Sequence, residues 1–397
     1  MNMKRIIFRI TAILMSVLLL WCWIFASSAE TADQETVSDL GVEDGSLNLN
    51  CKSAVLMEAT TGAVLYAQNP DEALPPASVT KIMTLLLVME EIDAGTVHME
   101  DKVTVSANAA SMGGSQVYLK EGEQMCVEDM LKSVVIASAN DAAVALAEHV
   151  AGTVPSFVEK MNAKAKSLGM TSTTFENVTG LDDTAEKHLT SAKDIALMSR
   201  ALIAHQTILN YSSIWMDSIR DGEFGLTNTN RLVRFYKGCT GLKTGSTSKA
   251  GFCVSATAER DGFSLICVIM GAESRDVRNA IATSLLDWGF SNYGLYQCDA
   301  GALEPIHISG GVKNDCGASY PSFSKVLSKK DISGIEKRIN VPKILSAPIH
   351  AGDEIGSVEF ILNDNVVGSV KICASETIEK INFFEIFKRI LAKFLLI

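Results

Sequence analysis

The stretch Pro75-Pro76-Ala77-Ser78-Val79-Thr80-Lys81-Ile82-Met83-Thr84-Leu85-Leu86-Leu87-Val88 decides how this chain is read. The two prolines force an extended entry, and the apolar run behind them predicts a helix from Ser78 to about Ile92, opened by Ser78 itself. Backbone N–H groups and the positive dipole end of a helix start favour negative charge beside a serine oxygen, which suits a nucleophile and an oxyanion alike. Lys81 falls on the same face one turn along. A cation there opposes the dipole and loses hydration if buried; both effects lower its pKa and let it accept the serine proton. The spacing alone carries little weight. Ser246/Lys249 and Ser322/Lys325 repeat it, and a lysine on an ordinary helix snorkels to solvent.

Two further motifs lie downstream. Ser138-Ala139-Asn140 sits between the helical runs VEDMLKSVVIA and DAAVALAEHV, although Ser-x-Asn also occurs at Ser46 and Ser106. Lys243-Thr244-Gly245 is the one K-T-G in the chain and leads through Ser246-Thr247 into a strand. A hydroxyl relay, an amide that holds a peptide backbone, and a cationic strand edge that binds an extended peptide ending in a carboxylate are complementary parts of an acyl-transfer site. Three weak motifs gain specificity from their order.

Around them the pattern is that of an α+β fold with an antiparallel sheet and a helical insertion. Ser53–Glu58 and Ala63–Gln68, joined by Ala59-Thr60-Thr61-Gly62, form a hairpin signal. Residues 128–150, 156–168 and 191–204 are helical by period, strands return at 251–259 and 263–271, and a helix follows at about 277–288. After about Tyr296 short alternating strands predict a small all-β domain over 297–377.

The region from about Ser53 to Trp288 resembles the low-molecular-mass penicillin-binding proteins that act as D-alanyl-D-alanine carboxypeptidases, within the penicillin-binding/β-lactamase superfamily. Besides the three motifs, the matching segments include Asn140-Asp141-Ala142, Phe157–Asn162 with Leu168-Gly169-Met170, Phe175–Leu181, Asn228-Thr229-Asn230 and Gly241-Leu242. The small β domain and an amphipathic tail fit the same family. The resemblance implies that Ser78 attacks the carbonyl between the terminal D-alanines of a peptidoglycan stem peptide, with Lys81 as base and Ser138 relaying a proton to the leaving group. It further implies that Asn140 binds the peptide, that Lys243 shapes the field, and that the N–H groups of Ser78 and Ser246 form the oxyanion hole. Thr244, Gly245, Ser246 and Thr247 would line the substrate strand, with Thr244 and Thr247 near the carboxylate. Arg278 stands where the family often has an arginine for that carboxylate, and a surface position is the alternative. β-Lactam antibiotics are implied as inhibitors, and no cofactor is expected. The rival readings are a serine β-lactamase, for which Glu176 would have to activate water, and an inactive membrane-tethered wall-binding protein.

Composition bounds the rest. The 397 residues leave room for an enzyme with more than one domain, and a formal net charge of -11 argues against nucleic acid as a partner. Residues 1–29 read as an export signal: Lys4, Arg5 and Arg9 precede an apolar run and the small residues Ser27-Ser28-Ala29, with an uncleaved anchor as the alternative. Residues 30–50 hold six acids and no bases and read as an acidic tether, so the catalytic domain is expected over 51–296. Residues 378–397 read as a membrane-anchor helix. Over 381–397, Glu385, Lys388, Arg389 and Lys393 share one arc while Phe383, Phe384, Phe387, Ile390, Leu391, Phe394 and Leu395 fill the rest. This places the protein on the outer face of the cytoplasmic membrane; a helix docked on the protein's own core is the alternative. Of nine cysteines one, Cys22, lies in the signal, none forms C-x-x-C, and Cys253 and Cys267 read as small buried hydrophobes. The six histidines form no H-E-x-x-H or H-x-H pattern, so no metal ligand set is expected.

Overall fold

The computed structural model describes Leu47, residues 49–183 and residues 185–395. The export signal read at 1–29 and nearly all of the tether lie outside the described residues. Two strands open the fold, β1 (Ser53–Glu58) and β2 (Val64–Gln68). The helical insertion contains α1 (Lys81–Asp93), α2 (Val127–Val135), α3 (Asn140–Ala151), α4 (Val154–Ser167) and α5 (Ala192–Ala204). The chain then returns to the sheet as β3 (Cys239–Thr247), β4 (Gly251–Arg260) and β5 (Phe263–Ala272), followed by α6 (Arg275–Asn292).

These strands form one antiparallel sheet in the order β2-β1-β5-β4-β3, so that β3 is an edge. Successive side chains of a strand point to opposite faces. Val55 and Met57 of β1, with Ile266, Val268 and Met270 of β5, enter the core shared with α1 to α5. Ala54 and Leu56, with Leu265, Cys267 and Ile269, enter the core under α6, where they meet Ile281, Leu285 and Leu286. Both faces are covered, which is why β5 reads as a continuous apolar run rather than an alternation. Cys253 and Cys267 are fully buried, as small hydrophobes in these two cores.

Strand β6 (Tyr293–Cys298) crosses the 296/297 boundary drawn from sequence and pairs antiparallel with Phe323–Ser328. Beyond it lies a six-stranded sheet in the order 336–340, 354–362, 365–374, 315–320, 301–309 and 344–346. The core of this sheet is built on Val358, Phe360, Ile372 and Cys316, with Phe323 stacked on Phe360 at a centroid distance of 4.1 Å.

The last helix, α7 (Phe383–Leu395), starts where the Ile381 N–H donates to the Gly310 carbonyl, and its Arg389 donates to the Val312 carbonyl. Phe383, Phe384 and Phe394 are 72%, 80% and 87% exposed, so the aromatic face is not buried against the protein's own core. Among the described residues no helix is long and apolar enough to cross a membrane.

Candidate active site

The Pro75-Pro76 entry turns into the site at Ala77, whose φ of +49° is a left-handed conformation that costs an alanine roughly 1 kcal/mol or more. A 3-10 turn, Ala77–Thr80, follows directly, and α1 begins at Lys81. Ser78 therefore lies one turn ahead of the α-helix it was expected to open, because the left-handed Ala77 tightens the first turn. The Lys81 Nζ is 3.0 Å from the Ser78 Oγ and donates to the Thr179 carbonyl at 2.9 Å. Lys81 is fully buried. Burial first, and then the charge of Lys243, hold its ammonium well below the usual lysine range, with Asp141 opposing.

Thr179 and Gly180 are held by Asn177, whose Oδ1 accepts from both backbone N–H groups at 3.1 and 2.7 Å. Gly180 has φ +82°, and a Cβ there would overlap the Ala77 carbonyl oxygen, so the loop can pack on the nucleophile turn only with glycine at this position. His188 locks the same turn from behind. Its Nδ1 accepts from the Glu176 N–H at 3.0 Å, which leaves Nε2–H to donate to the Thr80 Oγ1 at 2.7 Å.

Burial lowers His188 from its ordinary 6.5 to about 4, against the pull of Glu176 and Asp182. The folded protein thus holds a neutral imidazole that the unfolded chain would protonate below about 6.5. Its contribution to stability is complete above that pH and is lost as pH falls through about 4, about 3 kcal/mol in all. Urea unfolding at pH 7 and pH 4.5 should show His188→Gln losing at least about 1 kcal/mol less over this window than the parent. Equal losses would mean that His188 is not buried neutral.

The second wall comes from the break between α2 and α3. The run read as helical over 128–150 is interrupted there, and Ser138 has φ +64°, strain of the kind that collects at functional sites. Asn140 opens α3 with its Nδ2 donating to the Gly113 carbonyl at 2.7 Å, while its buried Oδ1 has no partner. Asp141 fixes the neighbouring loop, accepting from the N–H groups of Val117 and Leu119 at 3.1 Å each through Oδ2.

Strand β3 is the third wall. Gly245 lies against the nucleophile turn so closely that a Cβ would sit 2.7 Å from the Ser78 nitrogen and 2.9 Å from the Pro76 oxygen. Lys243 is buried, its Nζ donating to the Thr244 carbonyl at 2.9 Å; burial first, then Arg278, lowers it to about 7. The Thr244 hydroxyl donates to the Thr229 hydroxyl at 2.9 Å.

A cavity of about 470 Å³ opens between these walls, lined by Ser78, Ser138, Thr244, Gly245, Ser246 and Arg278. Lys81, Asn140 and Lys243 lie buried behind them. Arg278 is 3% exposed, its Nε and Nη2 donating to the Asn279 Oδ1 and its Nη1 to the Cys253 carbonyl, so the surface alternative does not apply. Burial lowers its guanidinium to about 10. Thr247 departs from expectation. It does not line the cavity, because its hydroxyl donates to the Asp182 Oδ2 at 2.5 Å. Glu176 is also elsewhere, its Oε2 accepting from the Lys187 N–H. No described carboxylate side chain lines the cavity, which removes the water-activating glutamate that a β-lactamase reading needs. Sequence reasoning missed Ser115, Trp215, Arg231, Phe252 and Arg275 in the lining. No local pattern marks them, since distant segments bring them together.

The comparisons with known proteins agree with this geometry. Residues 40–274 match the family model for D-alanyl-D-alanine carboxypeptidase, and residues 308–380 match that for the C-terminal domain of penicillin-binding protein 5. The chain is 40% identical to the D-alanyl-D-alanine carboxypeptidase DacF of Bacillus subtilis (strain 168), over 98% of each chain. Penicillin binding protein 5 from Haemophilus influenzae superposes with a TM-score of 0.74 at 30% identity, over 84% of this chain and 99% of that one. Penicillin-Binding Protein D2 from Listeria monocytogenes, solved in its ampicillin-bound form, covers 62% of this chain and 99% of its own at 32% identity, with a TM-score of 0.57. The chain belongs to the D-alanyl-D-alanine carboxypeptidase family of penicillin-binding serine peptidases.

Proposed function

We propose that the cavity removes the terminal D-alanine from peptidoglycan stem pentapeptides through an acyl-enzyme on Ser78. The observation that carries this reading is the 3.0 Å approach of the buried Lys81 Nζ to the Ser78 Oγ. A lysine kept neutral by burial takes the serine proton as Oγ bonds to the penultimate D-alanyl carbonyl carbon. The N–H groups of Ser78 and Ser246 receive the developing oxyanion. Ser138 passes the proton to the departing D-alanine nitrogen, and water then hydrolyses the ester. Asn140 supports the stem peptide as it lies along β3, and Thr244 with Arg278 holds the terminal carboxylate. Lys243 tunes the field beside Ser138. Thr247 supports this wall through Asp182 rather than touching the carboxylate. The scheme uses no cofactor or metal, and a penicillin enters as a substrate analogue that acylates Ser78.

The chain divides, on this reading, into an export signal at 1–29, a tether at 30–50, the peptidase domain at 51–296, a β domain at 297–377 and an anchor at 378–397. The exposed phenylalanines of α7, beside Lys388 and Arg389, would lie in an anionic leaflet on the outer face of the membrane.

The purified protein should release D-alanine from a Lys-D-Ala-D-Ala peptide and hydrolyse bound penicillin slowly. Rapid penicillin turnover without D-alanine release would overturn the assignment. Deleting residues 378–397 should move the processed protein from the membrane to the soluble fraction; an unchanged distribution would remove the anchor.

A further inference from the structure

We infer that the leaving-group end of the cavity takes a D-amino acid whose side chain carries a second carboxylate, so that D-glutamyl or D-aspartyl termini are substrates alongside D-alanyl ones. This rests on the peptidase reading and adds a substrate class to it.

Three guanidinium groups line the cavity that holds Ser78 and Ser138: Arg231, Arg275 and Arg278. They reach it from two places. Arg231 lies two residues beyond Thr229, the partner of the Thr244 hydroxyl, which sets it at the Thr244 end. Arg275 and Arg278 stand at i and i+3 in the first turn of α6. Stability does not explain this placement. The first turn of a helix disfavours cations, and the charge of Arg275 adds to the burial that depresses Arg278.

Little in the protein neutralises the trio. Arg278 meets a carbonyl and an amide oxygen, and Arg275 has no ion-pair partner among the described residues. Arg231 has Asp276 at 4.0 Å, a rim pair whose aspartate is 90% exposed and therefore contributes little. A D-alanyl terminus brings one carboxylate, which Thr244 and Arg278 can take together. Arg231, paired only with the exposed Asp276, and the exposed Arg275 then remain at the rim of the cavity with no substrate anion to meet. A carboxylate one or two methylenes out from the same α-carbon supplies the missing anion, and guanidinium groups suit it through bidentate hydrogen bonding.

The chemistry is unchanged. Ser78 Oγ bonds to the penultimate D-alanyl carbonyl carbon, the C–N bond to the D-dicarboxylic acid breaks, and its nitrogen leaves with the proton from Ser78. Water then cleaves the ester, releasing the shortened peptide with a free carboxylate and restoring the hydroxyl.

The test uses the full chain in detergent with two peptides, diacetyl-Lys-D-Ala-D-Ala and diacetyl-Lys-D-Ala-D-Glu, and measures each released D-amino acid. The expected kcat/KM for the D-glutamyl peptide is within about threefold of the D-alanyl value or above it. Arg275→Gln and Arg231→Gln should each lower the D-Glu to D-Ala ratio by about tenfold or more, with Arg275→Lys falling between the parent and Arg275→Gln because it keeps the charge and loses the bidentate fork. Fluorescent penicillin labelling of every variant checks that the site is intact. D-Alanine release with D-glutamate release below a hundredth of it overturns the inference and leaves the peptidase reading standing. So does a ratio that Arg231→Gln and Arg275→Gln leave unmoved in labelled protein. Absence of D-alanine release refutes the peptidase reading and the inference with it.

Discussion

Ser78→Ala should abolish covalent labelling by a fluorescent penicillin and lower D-alanine release by at least about 10⁴-fold, the scale on which loss of a nucleophile working with its partners is felt. The substitution removes one oxygen from a turn whose backbone is fixed independently. The Val79 N–H donates to the Pro76 carbonyl at 3.2 Å, and Gly245 abuts the Ser78 nitrogen. The fold should therefore survive, and a thermal melt within a few degrees of the parent would confirm that the loss is chemical. Labelling that persists in this variant would move the nucleophile elsewhere.

The second large effect concerns Lys81. Lys81→Arg keeps a cation and hydrogen-bond donors, yet a guanidinium does not give up its proton in a protein. If Lys81 acts as base, the rate of penicillin acylation should fall by about 10²–10⁴-fold. A variant that acylates within tenfold of the parent would place the base on another group. The parent should remain active well below the ordinary lysine range, because burial and Lys243 both favour the neutral form of Lys81. The acid limb of its pH profile belongs to the coupled pair Lys81 and Lys243, the latter lowered to about 7, rather than to either residue alone.

The nucleophile and its lysine were legible because their relation is local: three residues of helical turn bring them together wherever the turn sits. The K-T-G strand was legible because its motif is local, and the buried β5 because two-sided burial leaves a continuous apolar run. Relations across long sequence separations were not legible. His188 reaches Thr80, 108 positions away in sequence, and Asp182 captures the Thr247 hydroxyl at a separation of 65. Arg231 and Arg275 reach the cavity only once β3, β4 and α6 are assembled. The left-handed Ala77 and Ser138 were hidden for a different reason: local preference argues against such conformations in both residues, and tertiary contacts impose them.

The position of β3 at the end of the sheet carries a further consequence. An unpaired strand edge is a template for any extended chain, and exposed edges of this kind are where proteins misassemble. Here the Ala77–Thr80 turn lies against the strand, and Gly245 lets it come into direct contact. An extended stem peptide that paired with β3 would run past the turn that carries Ser78. The edge left open for a substrate is thus also an edge open to misassembly, and a peptide that pairs with β3 should slow aggregation as well as compete for the site.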